Sequence, residues 1–284
     1  MGAPFVFSFQ QVGTNCGLIG KNAAVEVDGS AYWMSENGFF RYTGKLESLA
    51  CLVEDYVYDD LNTVPRQHIY AGLNNLFGEV TWFYAASSEN SNSRSVTYNY
   101  MDSTPERPVW TTSTLARSTW ADSAVFGNPH GTEYDADATS DSTVGNTDGV
   151  TTYYEHEKGV NQIKAGAATA IAASIESGDF DISRTQGGGA DLRGDGEYMM
   201  KIRRVLPDFL QQIGDARVTL NLKNYPTDSQ ASSSLGPFTT TTSTTKIDTR
   251  ARARAISLKV DNTSTTQHWK LGTFRLDIQA DGRR

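Results

Sequence analysis

The sequence is poor in cysteine and has no long apolar run, and each shortage excludes a class of protein. Only two cysteines, Cys16 and Cys51, occur among 284 residues, so a disulfide scaffold is excluded. Two cysteines and four scattered histidines do not make a standard structural zinc site, and we expect both thiols to be free and buried. A run of about 18 apolar residues is missing, so no transmembrane helix is predicted.

Motifs of catalysis and export are equally scarce. The nucleophile motif G-x-S-x-G is absent, and the basic and apolar regions of a secretory signal are missing from the opening residues, MGAPFVFSFQQVG. The acidic segment 130–149 predicts an exposed loop, in which Asp135, Asp137, Thr139 and Asp141 have the spacing of a calcium loop. Its turn glycine and bidentate glutamate are replaced by other residues. We therefore predict no catalytic residue, no metal and no cofactor.

Two further groups of titratable residues suggest chemistry only weakly. Glu54, Asp55, Asp59 and Asp60 lie close together in VEDYVYDDLN and include the paired carboxylates that a glycosidase needs. Capping and turn roles are the preferred interpretation, because spacing in the sequence does not give separation in space and every acidic strand end offers such pairs. His156 lies between two glutamates in YYEHEKG, as a proton-transfer residue would, but it also has the spacing of an outward strand residue.

Short aromatic and β-branched runs separated by Gly, Asn, Asp and Ser predict an all-β chain. Helical periodicity is nearly absent, and only the alanine-rich segment 166–174 predicts a short helix. The Ser/Thr-rich stretch 239–245 is compatible with a solvent-facing strand or a disordered loop. The strands predicted most clearly are 31–34, 39–42, 53–58, 80–84, 95–100, 151–155, 218–222, 255–260 and 273–278.

Aromatic hairpins recur along the first half of the chain. In AYWMSENGFFRYTGK the Asn37-Gly38 pair predicts a tight turn between two strands, because it supplies positive φ angles. Similar segments, VTWFY followed by VTYNY and then VTTYYEHEKG, return at intervals of roughly 50 to 70 residues. Recurrence of this kind predicts β-propeller-like blades, each a small antiparallel sheet.

Charge divides the chain near residue 160. Residues 1–160 carry 20 acids and 8 bases, whereas residues 161–284 carry 13 acids and 17 bases. We predict a propeller-like β region over 1–160 and a C-terminal β region over 161–284 with glycine-rich and Ser/Thr-rich loops. The basic excess is too small to predict nucleic-acid binding. Arg250, Arg252 and Arg254 alternate, so they share one solvated or interface face if this segment is a strand.

Several stretches together resemble one family. They are TNCGLIGKNAAVEVDGSAYWMSENGFFRYTGK, CLVEDYVYDDLN, AGLNNLFGEVTWFY, VTYNY, RSTW, IESGDFDI, IRRVLPDF and WKLGTFRLDIQADGRR. In this order they resemble the tail hub or nozzle proteins, also described as head-to-tail stabilisation proteins, of short-tailed double-stranded DNA bacteriophages. Members of the family are usually longer, and the part matched here is similar to their C-terminal portion.

The resemblance implies a structural virion protein and not an enzyme. It implies β-propeller-like subunits in a homo-hexameric ring that contacts the portal adaptor and other tail proteins. Double-stranded DNA would pass transiently through this ring, which would be assembled in the host cytoplasm without membrane insertion. The expected aromatic blade core is Tyr32, Trp33, Phe39, Phe40, Trp82, Phe83 and Tyr84, and the expected subunit contacts are Arg250, Arg252, Arg254, Arg283 and Arg284.

Two other functions remain open from the residues alone. The aromatic and carboxylate content allows a carbohydrate-binding or depolymerising tail spike or receptor-binding protein, with Asp55 and Asp59 as its candidate acids. A β-propeller scaffold unrelated to viruses is the third interpretation.

Overall fold

The computed structural model describes residues 10–123, 127–135, 149–164, 166–182, 198–225 and 233–283. Strands make up 55% of the structure and helix 4%, so the prediction of an all-β chain is confirmed. The chain divides into an N-terminal unit, Met1–Lys158, and a C-terminal unit, Gly159–Arg284. This division lies close to the boundary expected near residue 160, where the charge balance changes.

The first sheet of the N-terminal unit is a four-stranded antiparallel meander. Its strands are β1 (Ala24–Val27), β2 (Ser30–Ser35), β3 (Gly38–Tyr42) and β4 (Leu46–Leu49), in that spatial order. The predicted hairpin is confirmed, because Ser35 pairs with Gly38 across the turn and Gly38 has a φ of 121°. An L side chain rarely adopts that φ, so the glycine sets the turn.

The second sheet repeats this design. Its strands are β5 (Tyr70–Asn74), β6 (Glu79–Tyr84), β7 (Arg94–Asn99) and β8 (Trp110–Ser113), again in sequential antiparallel order. Side chains from both sheets form a single buried cluster that includes Met34, Phe39, Val80 and Trp82. The indole N–H of Trp82 donates to the Ala23 carbonyl at 3.0 Å, so the two sheets are also joined by a buried hydrogen bond.

A short helix stands where a strand was predicted over 53–58. This helix, α1 (Glu54–Asp60), buries Val57, and a 3-10 turn follows at Arg66–His68. The prediction was wrong because the alternating tyrosines imitate a strand, whereas the apolar residues at 53, 57, 58 and 61 have helical spacing. Tyr58 fixes the helix to the first sheet, since its hydroxyl donates to the Ser35 carbonyl at 2.7 Å.

The third sheet covers the outer face of the second. It contains β9 (Thr119–Ala121), β10 (His130–Asp135) and β11 (Val150–Glu155), in the order β11-β10-β9. Residues 130–135 are therefore strand and not the loop that was expected, and the proposed calcium-loop residues after Asp135 lie outside the described residues. Trp120 sits so close to Gly72 that a Cβ there would meet the indole Cγ at 2.6 Å, so only glycine fits this contact.

The C-terminal unit is built from antiparallel strands around its own core. The strands are β12 (Asn161–Lys164), β13 (Ala167–Ala170), β14 (Ser174–Glu176), β15 (Tyr198–Leu206), β16 (Phe209–Ile213), β17 (Ala216–Lys223), β18 (Ser233–Thr240), β19 (Ile247–Ala253), β20 (Ala255–Asp261), β21 (His268–Leu271) and β22 (Arg275–Arg283). Two of the sheets have the orders β14-β20-β17-β18 and β19-β15-β22, and two strand pairs are β12-β13 and β16-β21. The buried cluster includes Met200, Ile202, Val218, Leu220 and Ile256.

The prediction of a helix over 166–174 was also wrong. Gly166 turns the chain with a φ of 80°, and Ala167–Ala170 then pairs with Asn161–Lys164 as β13. Alanine has the highest helix propensity, but intrinsic propensity is a weak determinant that tertiary contacts override, and a helix here would have little apolar surface to bury. The Ser/Thr-rich stretch 239–245 is strand up to Thr240 and turn after it, whereas the glycine-rich segment 186–196 lies outside the described residues.

Candidate functional site

Most of the predicted aromatic residues pack in the core shared by the first and second sheets. Tyr32, Phe39, Trp82 and Tyr84 are all at most 5% exposed. The Phe39 ring centroid lies 4.9 Å from that of Trp82 and 4.8 Å from that of Trp110, in tilted geometry. Burying each such ring contributes on the order of 2 to 3 kcal/mol, so these side chains stabilise the N-terminal unit.

Three of the predicted aromatic residues lie on other faces. Phe83 is fully buried, but it points to the opposite side of its sheet and packs against Trp120, with ring centroids 5.6 Å apart. Trp33 and Phe40 are half-buried and stack on each other at 5.8 Å, and the Trp33 indole donates to the Cys16 carbonyl at 2.7 Å. The expected core position does not hold for these two rings, because alternation along a strand turns them away from the core.

Both cysteines are free, as predicted, but they are half-buried and not fully buried. Burial raises the pKa of the Cys51 thiol to about 11. A thiol with this pKa is almost entirely protonated near pH 7, and the thiolate is the nucleophilic form. Cys51 is therefore a packing residue and not an activated nucleophile.

The arginine-rich segment shows the predicted alternation at two of its three arginines, because Arg254 lies beyond the end of β19. Arg250 and Arg252 are exposed in β19, whereas Ala251 and Ala253 between and after them are buried. Arg252 forms an ion pair with Asp281 of β22. Of the other three predicted contact residues, Arg254 is half-buried and Arg283 ends β22, whereas Arg284 lies outside the described residues.

The acids of VEDYVYDDLN lie on helix α1, where two of them share an exposed face. Asp55 and Asp59 are both exposed and lie four residues apart on α1, so they share one side of the helix. Asp60 accepts from Arg94 Nε at 3.2 Å. A glycosidase needs carboxyl groups that flank the scissile bond, and two acids on one exposed helix face do not provide this arrangement.

A polar cluster between the second and third sheets is chemically more unusual. Its centre is Arg117, only 3% exposed, in the segment before β9. The guanidinium lies 3.6 Å from Glu133 Oε2 and 4.0 Å from the centroid of the Tyr154 ring, so it has both an ion-pair and a cation–π partner. Asn92 donates to the Arg117 carbonyl at 2.9 Å and fixes its backbone. We call Arg117, Glu133, Tyr154 and His156 the interlayer cluster.

His156 accepts a hydrogen bond in this cluster and is neutral. Arg117 Nε donates to His156 Nε2 at 2.9 Å, which requires that this ring nitrogen carry no proton. The ring centroid lies 4.5 Å from that of Trp120. Burial, with a smaller contribution from the Arg117 charge, lowers the pKa of His156 to about 4. The expectation of an outward strand position is wrong, since His156 follows the end of β11 and its ring packs against Trp120.

Two carboxylates lie on the same outer face of the second sheet without an arginine partner. Asn74 and Glu79 are paired across the β5/β6 hairpin, and Asn74 Nδ2 donates to Glu157 Oε1 at 3.2 Å. Within the described part of the chain, neither Glu79 nor Glu157 forms an ion pair. Burial raises the pKa of both carboxyls, and for Glu79 the charges of Glu157 and Asp102 raise it further. This group therefore concentrates negative charge in a partly desolvated place.

The sequence indicated only part of this arrangement. YYEHEKG was identified as a candidate, but Arg117, Asn74 and Glu79 were not. A usable signal was the single charged residue that begins the apolar strand EVTWFY, since a charge at the end of a buried strand needs a partner. Arg117 has no comparable local signal, because its partners are 16 to 39 residues away in sequence.

Comparison with known proteins does not assign a family. No protein-family model matches the chain, and no curated protein matches it. In the described ranges, no group of three or more His, Cys, Asp or Glu residues is placed to hold a metal ion. Of the helices in that same part of the chain, none has the length and apolar character needed to cross a membrane. Because neither comparison assigns a family, the resemblance to tail hub proteins stays a prediction.

Proposed function

We propose that the chain is a structural virion protein of a short-tailed phage, a hub or nozzle subunit of the conduit between head and tail. In this proposal it is not an enzyme, and it assembles with copies of itself into a homo-hexameric ring in the host cytoplasm. The ring contacts the portal adaptor and other tail proteins, and double-stranded DNA passes through it during ejection.

The proposal is carried by one observation, the convergence of the family-like motifs in a single core. The WM…NGFF motif forms the β2/β3 hairpin, and EVTWFY forms β6. Each belongs to a sequential four-stranded antiparallel sheet, the design of a propeller blade. Phe39 and Trp82 bring the two sheets into contact. Such a unit suits a rigid wall better than a catalytic cleft.

The charge of the N-terminal unit supports the same role. Residues 1–160 carry an excess of acids, and α1 presents Asp55 and Asp59 to solvent. A surface of this sign repels DNA phosphates, whereas each Lys or Arg contact to phosphate would retain the DNA. The proposal therefore places α1 or a comparably acidic surface toward the channel.

A complementation experiment tests the proposal. Particles assembled without this chain, from a phage with a nonsense mutation in its gene, should package DNA but fail to retain or deliver it. Supplying the chain in the host should restore infectivity. The purified particles should then contain the chain again, in the stoichiometry of a hexamer. Full infectivity of particles that lack the chain would contradict the proposal and favour a scaffold unrelated to the virion.

The depolymerase alternative has a separate test. It requires that Asp55 or Asp59 act on host polysaccharide, although these acids share one helix face. Purified chain should release no reducing sugar from host surface polysaccharide. Release that disappears in Asp55→Asn or Asp59→Asn would support the alternative and reject the structural proposal.

A further inference from the structure

We propose that Glu79, Glu157 and Asn74 form a binding site for a divalent cation, most suitably Ca²⁺, on the outer face of the second sheet. This inference does not depend on the proposed tail function, because it rests only on the contacts within the N-terminal unit.

The three side chains come from two separate parts of the chain. Asn74 ends β5 and Glu79 begins β6, and their Cα positions are register partners beside the hairpin turn. Alternation places Asn74 on the same face as Gly72, which contacts the third sheet through Trp120. Glu157 arrives from the segment after β11 and accepts from Asn74 Nδ2 at 3.2 Å.

The Asn74 amide indicates that a ligand is missing from this group. Asn74 is 5% exposed, and within the described residues its Oδ1 has no hydrogen-bond partner. This oxygen belongs to the same amide head that touches the Glu157 carboxylate. A buried carbonyl oxygen is ordinarily satisfied by a donor or a cation. In the structure Nδ2 faces Glu157. Rotation of the amide by half a turn would exchange the two atoms, so that Oδ1 and the Glu157 carboxylate could coordinate one ion.

The local charge also lacks a counter-ion. Glu133 in the neighbouring interlayer cluster has Arg117 as its partner, at 3.6 Å. In the described part of the chain, Glu79 is half-buried and Glu157 is exposed, and neither has such a cation. Carboxylates held in low dielectric are normally paired or bound to a metal. The protein therefore supplies an arginine to Glu133 but none to the half-buried Glu79, which an ion shared with Glu157 would neutralise.

The donor set selects a hard cation with flexible geometry. All candidate ligands are oxygens, and zinc and copper sites ordinarily need nitrogen or sulfur. If both carboxylates are bidentate, the three side chains supply about five oxygens, and water completes the six to eight that Ca²⁺ takes. Mg²⁺ requires near-ideal octahedral geometry and keeps most of its water, so it fits this group less well.

The test uses the full-length chain, first dialysed against a calcium chelator and then titrated with CaCl₂. Thermal unfolding and isothermal calorimetry are measured at neutral pH for the wild type and for Glu79→Gln, Glu157→Gln and Asn74→Ala. The control is Glu106→Gln, which removes an exposed acid from the same unit. Circular dichroism in chelator shows whether each variant is folded.

We expect Ca²⁺ to raise the unfolding temperature of the wild type and the control equally. The apparent affinity should fall at least tenfold in each glutamine variant, because half of the site's charge is lost. Mg²⁺ should give a smaller shift. The inference is overturned if Ca²⁺ leaves the wild type unchanged, if both glutamine variants keep the wild-type shift, or if Mg²⁺ and Ca²⁺ act equally on all proteins.

Discussion

Replacement of Arg117 by methionine should strongly destabilise the N-terminal unit. The change keeps much of the aliphatic stem but removes the ion pair to Glu133, the hydrogen bond to His156 and the cation–π contact with Tyr154. Breaking a buried ion pair by removing one partner costs about 3 to 5 kcal/mol, chiefly because the other charge stays buried without compensation. Since Glu133 is less deeply buried than Arg117, we expect a loss near the lower end, about 3 kcal/mol.

Urea unfolding followed by tryptophan fluorescence measures this loss, because four of the five tryptophans lie in the N-terminal unit. The matched control is Arg107→Met, at an exposed arginine of the same unit, which should change the free energy of unfolding by less than about 0.5 kcal/mol. NMR titration gives a second readout, since the pKa of His156 should rise once the Arg117 charge is removed. Equal stability losses in both variants, with an unchanged His156 pKa, would refute this account of the cluster.

Three further predictions follow from the N-terminal unit. Because the folded pKa of His156 is about 4 against about 6.5 for the unfolded chain, its contribution to stability should fall as pH decreases from 6.5 to 4, and His156→Gln should flatten urea midpoints measured across that range. Cys51, with a pKa near 11, should react with iodoacetamide at pH 8.5 more slowly than Cys16, as peptide mass spectrometry would show. Gly72→Ala places a methyl against an indole ring and should cost about 1 to 3 kcal/mol in thermal unfolding. Gly17→Ala, where the added methyl meets nothing, should leave stability nearly unchanged.

The sequence predicted those parts of the fold that depend on local residues. Gly38 has a φ that few other residues adopt, so the β2/β3 hairpin was predictable without knowledge of its surroundings. The helix at Glu54–Asp60 was not, because its tyrosines alternate as strand residues do while its apolar residues have helical spacing. In such a segment, tertiary contacts decide between the two periods.

The candidate sites were largely beyond the reach of the sequence. Arg117 meets His156 from 39 residues away, and Asn74 meets Glu157 from 83 residues away, so no local pattern reports either contact. Aromatic content alone also did not show on which face of a sheet a ring lies. The core position expected for Trp33 was wrong, because alternation along β2 turns this ring away from the core. The pairing of strands and the layering of sheets create these sites.

The most direct test of the proposed tail function is an electron cryo-microscopy map of purified virions from the source lysate. The account predicts that density fitting the two sheets of the N-terminal unit lies in a six-fold ring on the tail axis, with an acidic surface such as α1 toward the DNA. Density at the tail periphery, on a fibre or spike, would contradict it and favour receptor binding. Complete absence of the chain from the particle would reject both viral functions.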